Sequence, residues 1–371
     1  MARIIRRIAL GIGLLVAIGL AALAVALSYE APCEAPPAIP EGVTTMKAAV
    51  RRCYGPPEVL AVEHVEKPVY ADNQMLVKVH AAALNPLDWH ELRGTPYLMR
   101  LGAGFGTPAN ARLGIDFSGT VEAVGKDVTR YKPGDEIFGG RSGALAEYVT
   151  VTETGSIAHK PANITHEQAA GVYVAALTAI QTLRDRAAIE PGQKALINGA
   201  SGGVGTFAIQ IAKALGAEVT GVCSTRNVEL VRSLGADHVI DYTAEDFTQN
   251  GERYDVIMDN VANRPILDIR RVLAPHGKYL VIGGGGPEAN PWIGAFKAPV
   301  KAWFIALFVD QDLAFFLAHA SAADVAALAG LMEEGKVVPV MDRVYPLAQI
   351  EEAMRYLESG RARGKVVLTM D

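Results

Sequence analysis

The stretch that decides the fold is KALINGASGGVGTFAIQIAKALGAEVTGVCSTR, Lys194 to Arg226. Ala195 to Ile197 are a short apolar run that reads as a strand. Gly199, Gly202, Gly203 and Gly205 make a turn. Phe207, Ile209, Ile211, Ala212 and Leu215 supply the apolar face of a helix that Gly216 can end. Glu218 to Cys223 form the next strand. The glycines of this βαβ unit stand where backbone must approach a diphosphate. The helix N-terminus behind them offers N–H donors and the positive end of a dipole. The turn is a variant, because Ala200 and Ser201 precede Gly202 and the first glycine of the strict pattern is missing.

The end of the second strand indicates which dinucleotide binds. A site for NAD wants an acidic residue about 20 positions on, to bond the ribose hydroxyls. Nothing acidic lies between Val219 and Val228; Ser224, Thr225, Arg226 and Asn227 stand there instead. A carboxylate repels a 2′-phosphate, whereas Arg and Ser can bind one. The cofactor expected is NADPH.

The chain has 371 residues, half of them apolar, enough for one or two domains with sizeable cores. A net charge of −5 with no basic patch excludes an extended nucleic-acid surface. Cys33, Cys53 and Cys223 are too few and too scattered for a disulfide framework or a CxxC metal site.

At the N-terminus Arg3, Arg6 and Arg7 precede an uncharged run from Ile8 to Ser28, long enough to cross a bilayer as a helix. Residues 1–28 read as a single-pass membrane anchor. A cleaved signal is the alternative, with Ala24-Val25-Ala26 imitating a cleavage site. Residues 29–45, with Pro32, Pro36, Pro37 and Pro40, read as a stiff extended tether. Arginines before the span place the N-terminus inside and the remaining chain outside. NADPH is an intracellular cofactor, so the side of the membrane stays open.

From Met46 the pattern changes. Lys47 to Arg51, Leu60 to Val65 and Met75 to Ala82 read as strands, and turns such as Lys132-Pro133-Gly134-Asp135 follow. Residues 46–174 therefore read as a β-rich domain. Helical patterns begin at Thr165, and strands then alternate with helices through Asp255–Met258 and Lys278–Ile282. Residues 175–310 read as a doubly wound α/β domain. Residues 311–371, with helices from Ala322 and Leu347 and a last strand Gly364–Thr369, rejoin the first domain.

Several dispersed motifs carry a resemblance: YGPPEVL from Tyr54, VKVHAAALNPLDWH from Val77, GIDFSGTVEAVG from Gly114, YKPGDEIFG from Tyr131, AALTAIQTL from Ala175, GASGGVG from Gly199, LGADHVIDY from Leu234 and RARGKVVL from Arg361. From Met46 onward the chain resembles the medium-chain dehydrogenase/reductase superfamily, specifically its zinc-free quinone oxidoreductase-like branch, which includes zeta-crystallin. The resemblance implies a GroES-like catalytic domain split around a Rossmann domain, with the active site in the cleft between them. A homodimer is implied by the family alone.

Zinc enzymes of that superfamily use a Cys, a Gly-His-Glu motif and a second Cys or Asp. Here Leu84-Asn85-Pro86-Leu87-Asp88 holds no Cys, and Gly114-Ile115-Asp116 has Ile and Asp in place of His and Glu. His80 and His90 lack a spaced partner set, so no metal site is expected. Without a Lewis acid a simple ketone is hard to polarise. A quinone or an α,β-unsaturated carbonyl is easier, because charge delocalises after hydride addition and hydrogen-bond donors suffice.

The resemblance places Asn85 in the cleft beside the nicotinamide as the donor. Asp88 follows at the third position on, as a positioning group or a helix cap. His90 stands where bacterial relatives carry a tyrosine; it reads as an acid near neutral pH or as a packed ring beside Trp89. The resemblance also implies cofactor contacts by Thr178 near the nicotinamide amide and by Gly202, Gly203, Val204 and Gly205 at the diphosphate. Ser224 and Arg226 fall at the 2′-phosphate, Tyr242 and Asn260 on the adenosine side, and Gly283 beneath the nicotinamide ribose. Lys365 reads as a cofactor contact or a solvated edge charge.

Pro291 to Phe316 is rich in aromatics, among them Trp292, Trp303, Phe304 and Phe308, with Lys297 and Lys301 between them. A core helix or dimer contact is the plain expectation; a membrane-surface segment or greasy substrate entrance is the other. The expected activity is membrane-tethered, zinc-independent, NADPH-dependent reduction of a small, lipophilic quinone or enone. The alternatives are a zinc-free alcohol/aldehyde oxidoreductase and an NADPH-binding sensor or scaffold without turnover.

Overall fold

The computed structural model describes residues 2–294 and 296–370; the side chains of residues 2–4, Arg3 among them, lie outside that description. Two β-sheets organise the body. The first is a six-stranded parallel sheet in the order His238–Asp241, Glu218–Cys223, Lys194–Asn198, Tyr254–Asp259, Leu273–Val281, Asp312–Phe315. The crossover reverses at Lys194–Asn198, which is where a Rossmann sheet binds its ligand. The helix Gly203–Ala214 packs onto this sheet because Phe207, Ile209, Ile211 and Ala212 recur on one side and are fully buried.

The second sheet has seven strands, ordered Met341–Pro346, Lys365–Thr369, Gln74–Leu84, Asp116–Val124, Glu136–Gly140, Ile157–His159, with Tyr148–Thr152 paired to Gln74–Leu84. A hairpin of Thr45–Arg51 and Leu60–Glu66 lies beside it. The last strand of the chain thus sits in the interior of the first domain's sheet, antiparallel to Gln74–Leu84.

Three expectations are corrected. The parallel sheet does not stop at residue 310: Asp312–Phe315 pairs with Leu273–Val281. Ser321 then caps the helix Ala322–Glu333 by accepting the Asp324 N–H at 3.1 Å. Val325, Leu328 and Met332 of that helix are buried in the same core as Phe207. A four-residue strand among aromatics carries too little alternation to reveal its layer.

The cysteines are not all solitary either. Cys33 and Cys53 form a disulfide across 20 residues with Cα atoms 4.6 Å apart, while Cys223 is free and buried. Their pairing depends on how the chain after Ser28 is laid onto the body, which spacing does not reveal.

The tether is docked over its first residues rather than running free. Glu30 bridges to Gly106, and the Ala31 N–H donates to the Gly106 carbonyl at 3.1 Å. Arg100 is fully buried at this junction. Its Nη1 donates to the Leu27 and Tyr29 carbonyls at 3.0 Å each, its Nη2 to Glu30 at 2.9 Å and the Arg93 carbonyl at 3.1 Å, and its Nε to the Gly94 carbonyl at 2.8 Å. The guanidinium lies 4.3 Å from the Tyr54 ring centre and 4.6 Å from that of Tyr97. A planar cation with five donors suits this crowd of acceptors, and the flanking rings add cation–π attraction. The helix Ala2–Ser28 therefore ends on the body itself.

Arg100→Met leaves several buried carbonyls unpaired, at roughly 1–3 kcal/mol each. The expected result is a lowered melting temperature and a first proteolytic cut within residues 29–45, read by intact mass. Arg100→Lys should rescue little, because one ammonium cannot serve all of these acceptors.

Candidate active site

Asn85 follows the strand Gln74–Leu84 and caps the helix Pro86–Arg93, with Pro86 at the first helical position, where its missing N–H costs nothing. Asp88, at the third position, accepts the Asn85 N–H at 2.6 Å. The backbone is held, and the Asn85 side chain is free for other contacts. Its Oδ1 accepts from the Lys365 Nζ at 2.5 Å. Its Nδ2 makes only a long contact of 3.5 Å to the Ala83 carbonyl.

Lys365 opens the last strand and is 3% exposed. Its ammonium also reaches the Asp116 Oδ2 at 3.2 Å. The other Asp116 oxygen accepts the Val174 N–H at 3.1 Å, on the helix Tyr173–Ile180 that carries Thr178. Asn85, Asp88 and Asp116 are each 2% exposed or less. Burial pushes the Asp116 carboxyl up, and the Lys365 ammonium opposes that rise. Burial likewise raises Asp88 to about 7, the hydrogen bond from Asn85 notwithstanding.

The ammonium seen at Lys365 points into this cluster rather than to solvent. The same residue joins the cluster to the glycine turn. Gly202 bridges to Gly364, and the Gly364 N–H donates to the Ser201 carbonyl at 2.9 Å. A Cβ on Gly203 would stand 3.2 Å from the Lys365 Cδ. Gly199 has φ +77°, and a Cβ on Gly205 would collide with the Gly199 carbonyl oxygen, so both positions require glycine.

The strand ends around this turn are braced by Asp259, which is fully buried. Its Oδ1 accepts from Asn198 Nδ2 at 2.8 Å, from the Val261 N–H at 3.0 Å and from the Ala262 N–H at 2.8 Å. Its Oδ2 accepts from the Tyr279 hydroxyl at 2.8 Å. This network shapes the turn that presents Asn260. Asn260 donates to the Asn198 carbonyl at 2.9 Å, and Asn227 donates to Ser201 Oγ at 2.8 Å and Ser224 Oγ at 3.3 Å. The side-chain oxygens of Asn227 and Asn260 are both buried without a hydrogen-bond partner. Two unsatisfied acceptors fit the hydroxyls of a dinucleotide, and the N–H groups of the glycine turn at the helix N-terminus fit its diphosphate.

Arg226 and Tyr242 are exposed near the end of the second strand; the Arg226 Nη2 donates to the Arg361 carbonyl at 2.6 Å, and the Tyr242 N–H donates to Cys223 at 3.0 Å. Asp241, opposite Cys223 on the neighbouring strand, turns its carboxylate back to the Thr243 N–H and hydroxyl. Thr178 donates to the Val174 carbonyl at 2.7 Å, and a Cβ on Gly283 would stand 2.8 Å from the Asn260 carbonyl oxygen. Val204 is the second residue of the helix Gly203–Ala214.

His90 is set apart from the cluster. Its Nδ1 donates to the Thr95 carbonyl at 2.6 Å, and its ring stacks on Trp89 with centroids 3.6 Å apart. Burial lowers its pKa, so at neutral pH it is neutral and its one N–H is committed to Thr95. The sequence reading missed Asp116, Asn227, Ser201 and Asp259. For Asp116 a signal was present: it stands at the Glu of the Gly-His-Glu motif while Ile115 removes the His, and an acid there without a metal invites a search for its cation.

The raised Asp88 has a consequence for stability. Its carboxyl ionises near pH 3.8 when unfolded and near 7 when folded. Its contribution is full below about 3.8 and is lost as pH rises through about 7. Thermal melts of the wild type should fall between pH 4 and 7 relative to Asp88→Asn, and parallel curves for the two proteins would contradict this.

A model described as "Alcohol dehydrogenase GroES-like domain" matches residues 71–162, and one described as "Zinc-binding dehydrogenase" matches residues 234–368. The chain is 34% identical over 365 residues to the mouse mitochondrial NAD(P)H oxidoreductase RTN4IP1, covering 88% of this chain and 90% of that protein. It is 33% identical over 324 residues to the chloroplast envelope quinone oxidoreductase homolog of Arabidopsis thaliana, covering 83% and 93%. The solved quinone oxidoreductase of Coxiella burnetii superposes with a TM-score of 0.76 at 29% identity, over 88% of this chain and all of that one.

The donor set does not fit zinc. Asn85 and Ile115 offer no thiolate or imidazole, and the ammonium of Lys365 already lies against Asp116, where it would repel a second cation. The chain belongs to the medium-chain dehydrogenase/reductase superfamily, in its zinc-free quinone oxidoreductase-like branch.

Proposed function

We propose that the protein is a membrane-tethered, NADPH-dependent reductase that delivers a hydride to a quinone or to the β-carbon of an α,β-unsaturated carbonyl. The observation that carries this reading is the Lys365–Asn85–Asp116 cluster, which meets the dinucleotide turn directly through Gly364. Bound NADPH supplies the hydride from C4 of its nicotinamide. Everything else falls to the chain. Lys365 holds the Asn85 Oδ1, which leaves the Nδ2 as a pre-oriented donor for the oxygen that gains charge. Asp116 keeps the Lys365 ammonium in place within a dry site, where such donors act more strongly than in water. A delocalised acceptor needs no more than this. The proton comes from solvent, because the N–H of His90 is occupied.

For the 2′-phosphate, Ser224 and Arg226 stand at the end of the second strand, and the Asp241 carboxylate on the neighbouring strand is engaged by hydrogen bonds from Thr243 and Thr225. Relatives support the chemistry: an NAD(P)H oxidoreductase, quinone oxidoreductases, and a trans-enoyl reductase of Aspergillus terreus. Tethering rests on Ile5–Ser28, 24 helical residues whose most apolar 18-residue stretch has mean hydropathy 2.7, with little cover from the body. Its length is about 36 Å at 1.5 Å per residue, against a hydrocarbon core of about 30 Å.

Three measurements test the reading. The full chain in detergent should oxidise NADPH in preference to NADH with quinones and enones, insensitive to chelator, and turn over simple aldehydes poorly. Arg226→Ala should raise the KM for NADPH about tenfold, the value of roughly 1.4 kcal/mol, and leave NADH unaffected. A preference for NADH in the wild type would refute the cofactor assignment. Lys365→Met should lower kcat about a hundredfold or more and destabilise the fold, because Asp116 loses its partner. Adding Asp116→Asn should recover the stability and not the turnover.

A further inference from the structure

The helix Lys297–Ala306 has two apolar faces. Ala302 is fully buried, and Ala298, Ile305 and Ala306 pack onto the same core. On the opposite side Val300, Trp303, Phe304 and Leu307 are 60%, 65%, 58% and 60% exposed, followed by Phe308 at 74%. The spacing is that of one helical stripe, with Lys297 and Lys301 exposed along it. A helix apolar all round is normally enclosed, and a patch of this size on a single chain marks a contact surface. The expectation of a core helix does not hold for the outer stripe.

The position of this stripe identifies what covers it. The Tyr97 N–H donates to the Pro291 carbonyl at 2.7 Å, and the Tyr97 ring meets the Trp292 ring edge-on at 5.0 Å. Tyr97 in turn stacks under Arg100, which clasps Leu27 and Tyr29 at the end of the N-terminal helix. Next to that clasp Leu98, Leu101 and Phe105 are 47%, 56% and 53% exposed. Phe105 also faces Val25 and Tyr29 across an apolar crevice of about 670 Å³. Segments 98–105 and 291–308 are thus joined, through Tyr97 and Trp292, next to the point where the helix meets the body.

We infer that this face is a second membrane contact: it docks into the lipid leaflet on the body's side of the bilayer crossed by Ile5–Ser28. The inference rests on the tethering reading above. A helix clasped by a buried arginine cannot hold its body at a distance, so the surface around the clasp meets lipid. Apolar side chains enter the acyl boundary there, Lys297 and Lys301 meet the headgroups, and an acyl chain fills the crevice beside Phe105. Both segments are direct continuations of the site: the helix begun at Asn85 leads into residues 94–106, and the strand ending before Gly283 leads into residues 284–308. A lipophilic acceptor therefore enters the cleft from the leaflet.

The test uses the full chain in vesicles of phosphatidylcholine and phosphatidylglycerol, with and without phosphatidylcholine brominated near the top of its acyl chains. Flotation with the vesicles reads the anchor, and tryptophan quenching by bromine reads the docking face. The expected result is flotation with strong quenching, most of it lost in Trp303→Phe, which should still bind NADPH. Phe304→Glu with Phe308→Glu should lower turnover of a vesicle-borne long-chain quinone about tenfold and leave a water-soluble quinone unchanged. Flotation without Trp303-dependent quenching overturns the docking face and spares the anchor. Failure to float overturns both. Cross-linking of Trp303→Cys between copies, without quenching, assigns the face to a second copy and overturns the lipid contact.

Discussion

A single ammonium organises the functional half of this molecule. Lys365 lies where the last strand, the turn that carries Asn85 and the glycine turn converge, and it is nearly inaccessible to water. A buried cation persists only if it is paired and hydrogen-bonded. Asp116 supplies the charge and Asn85 the second acceptor. The requirement runs in both directions. Asp116 needs its cation, Lys365 needs two acceptors at defined places, and Asn85 is thereby held with one end of its amide engaged and the other open. In zinc enzymes of the superfamily a metal would stand near these loops. Here those loops carry a buried ion pair, Lys365 with Asp116, and Asn85 and Ile115 offer no thiolate or imidazole.

The pair also explains why the chain returns to its first domain. The strand Lys365–Thr369 lies inside the seven-stranded sheet, one place from its edge, and Gly364 just before it touches the turn of the parallel sheet. The two domains are joined between the Lys365 cluster and the glycine turn, so their relative position is set there. Closure of a cleft by contacts close to the reacting groups keeps misplacement small, which matters because reaction rates fall steeply with an ångström of error.

A second buried cation does for the periphery what Lys365 does for the centre. Arg100 gathers carbonyls from the helix end, the tether and the loop after the site helix. With the Cys33–Cys53 disulfide it turns a proline-rich linker into a fixed mount. The consequence is geometric: the segment that leads into the outer aromatic stripe touches, at Trp292, the same Tyr97 that stacks on the arginine holding the helix end. A tether of free residues would have left the apolar helix and the body to move independently.

The fold was largely legible in the chain. The glycine turn between an apolar strand and an amphipathic helix, the period-two strands before it and the apolar helix at the start are local patterns, and local sterics and burial are enough to produce them. The absence of thiolate and imidazole at the metal positions was equally plain, since ligand chemistry is written in residue types. The partnerships were not. Lys365 lies 249 residues from Asp116 and 280 from Asn85, and nothing in the local sequence of any of them names the others. The same holds for Arg100 and Leu27, for Cys33 and Cys53, and for the short strand Asp312–Phe315, whose layer depends on the strand it finds. Sequence alone determined which elements form and which chemistry is excluded, because those follow from periodicity and side-chain type. Tertiary structure decided which buried charge meets which, because that depends on where distant segments are brought together.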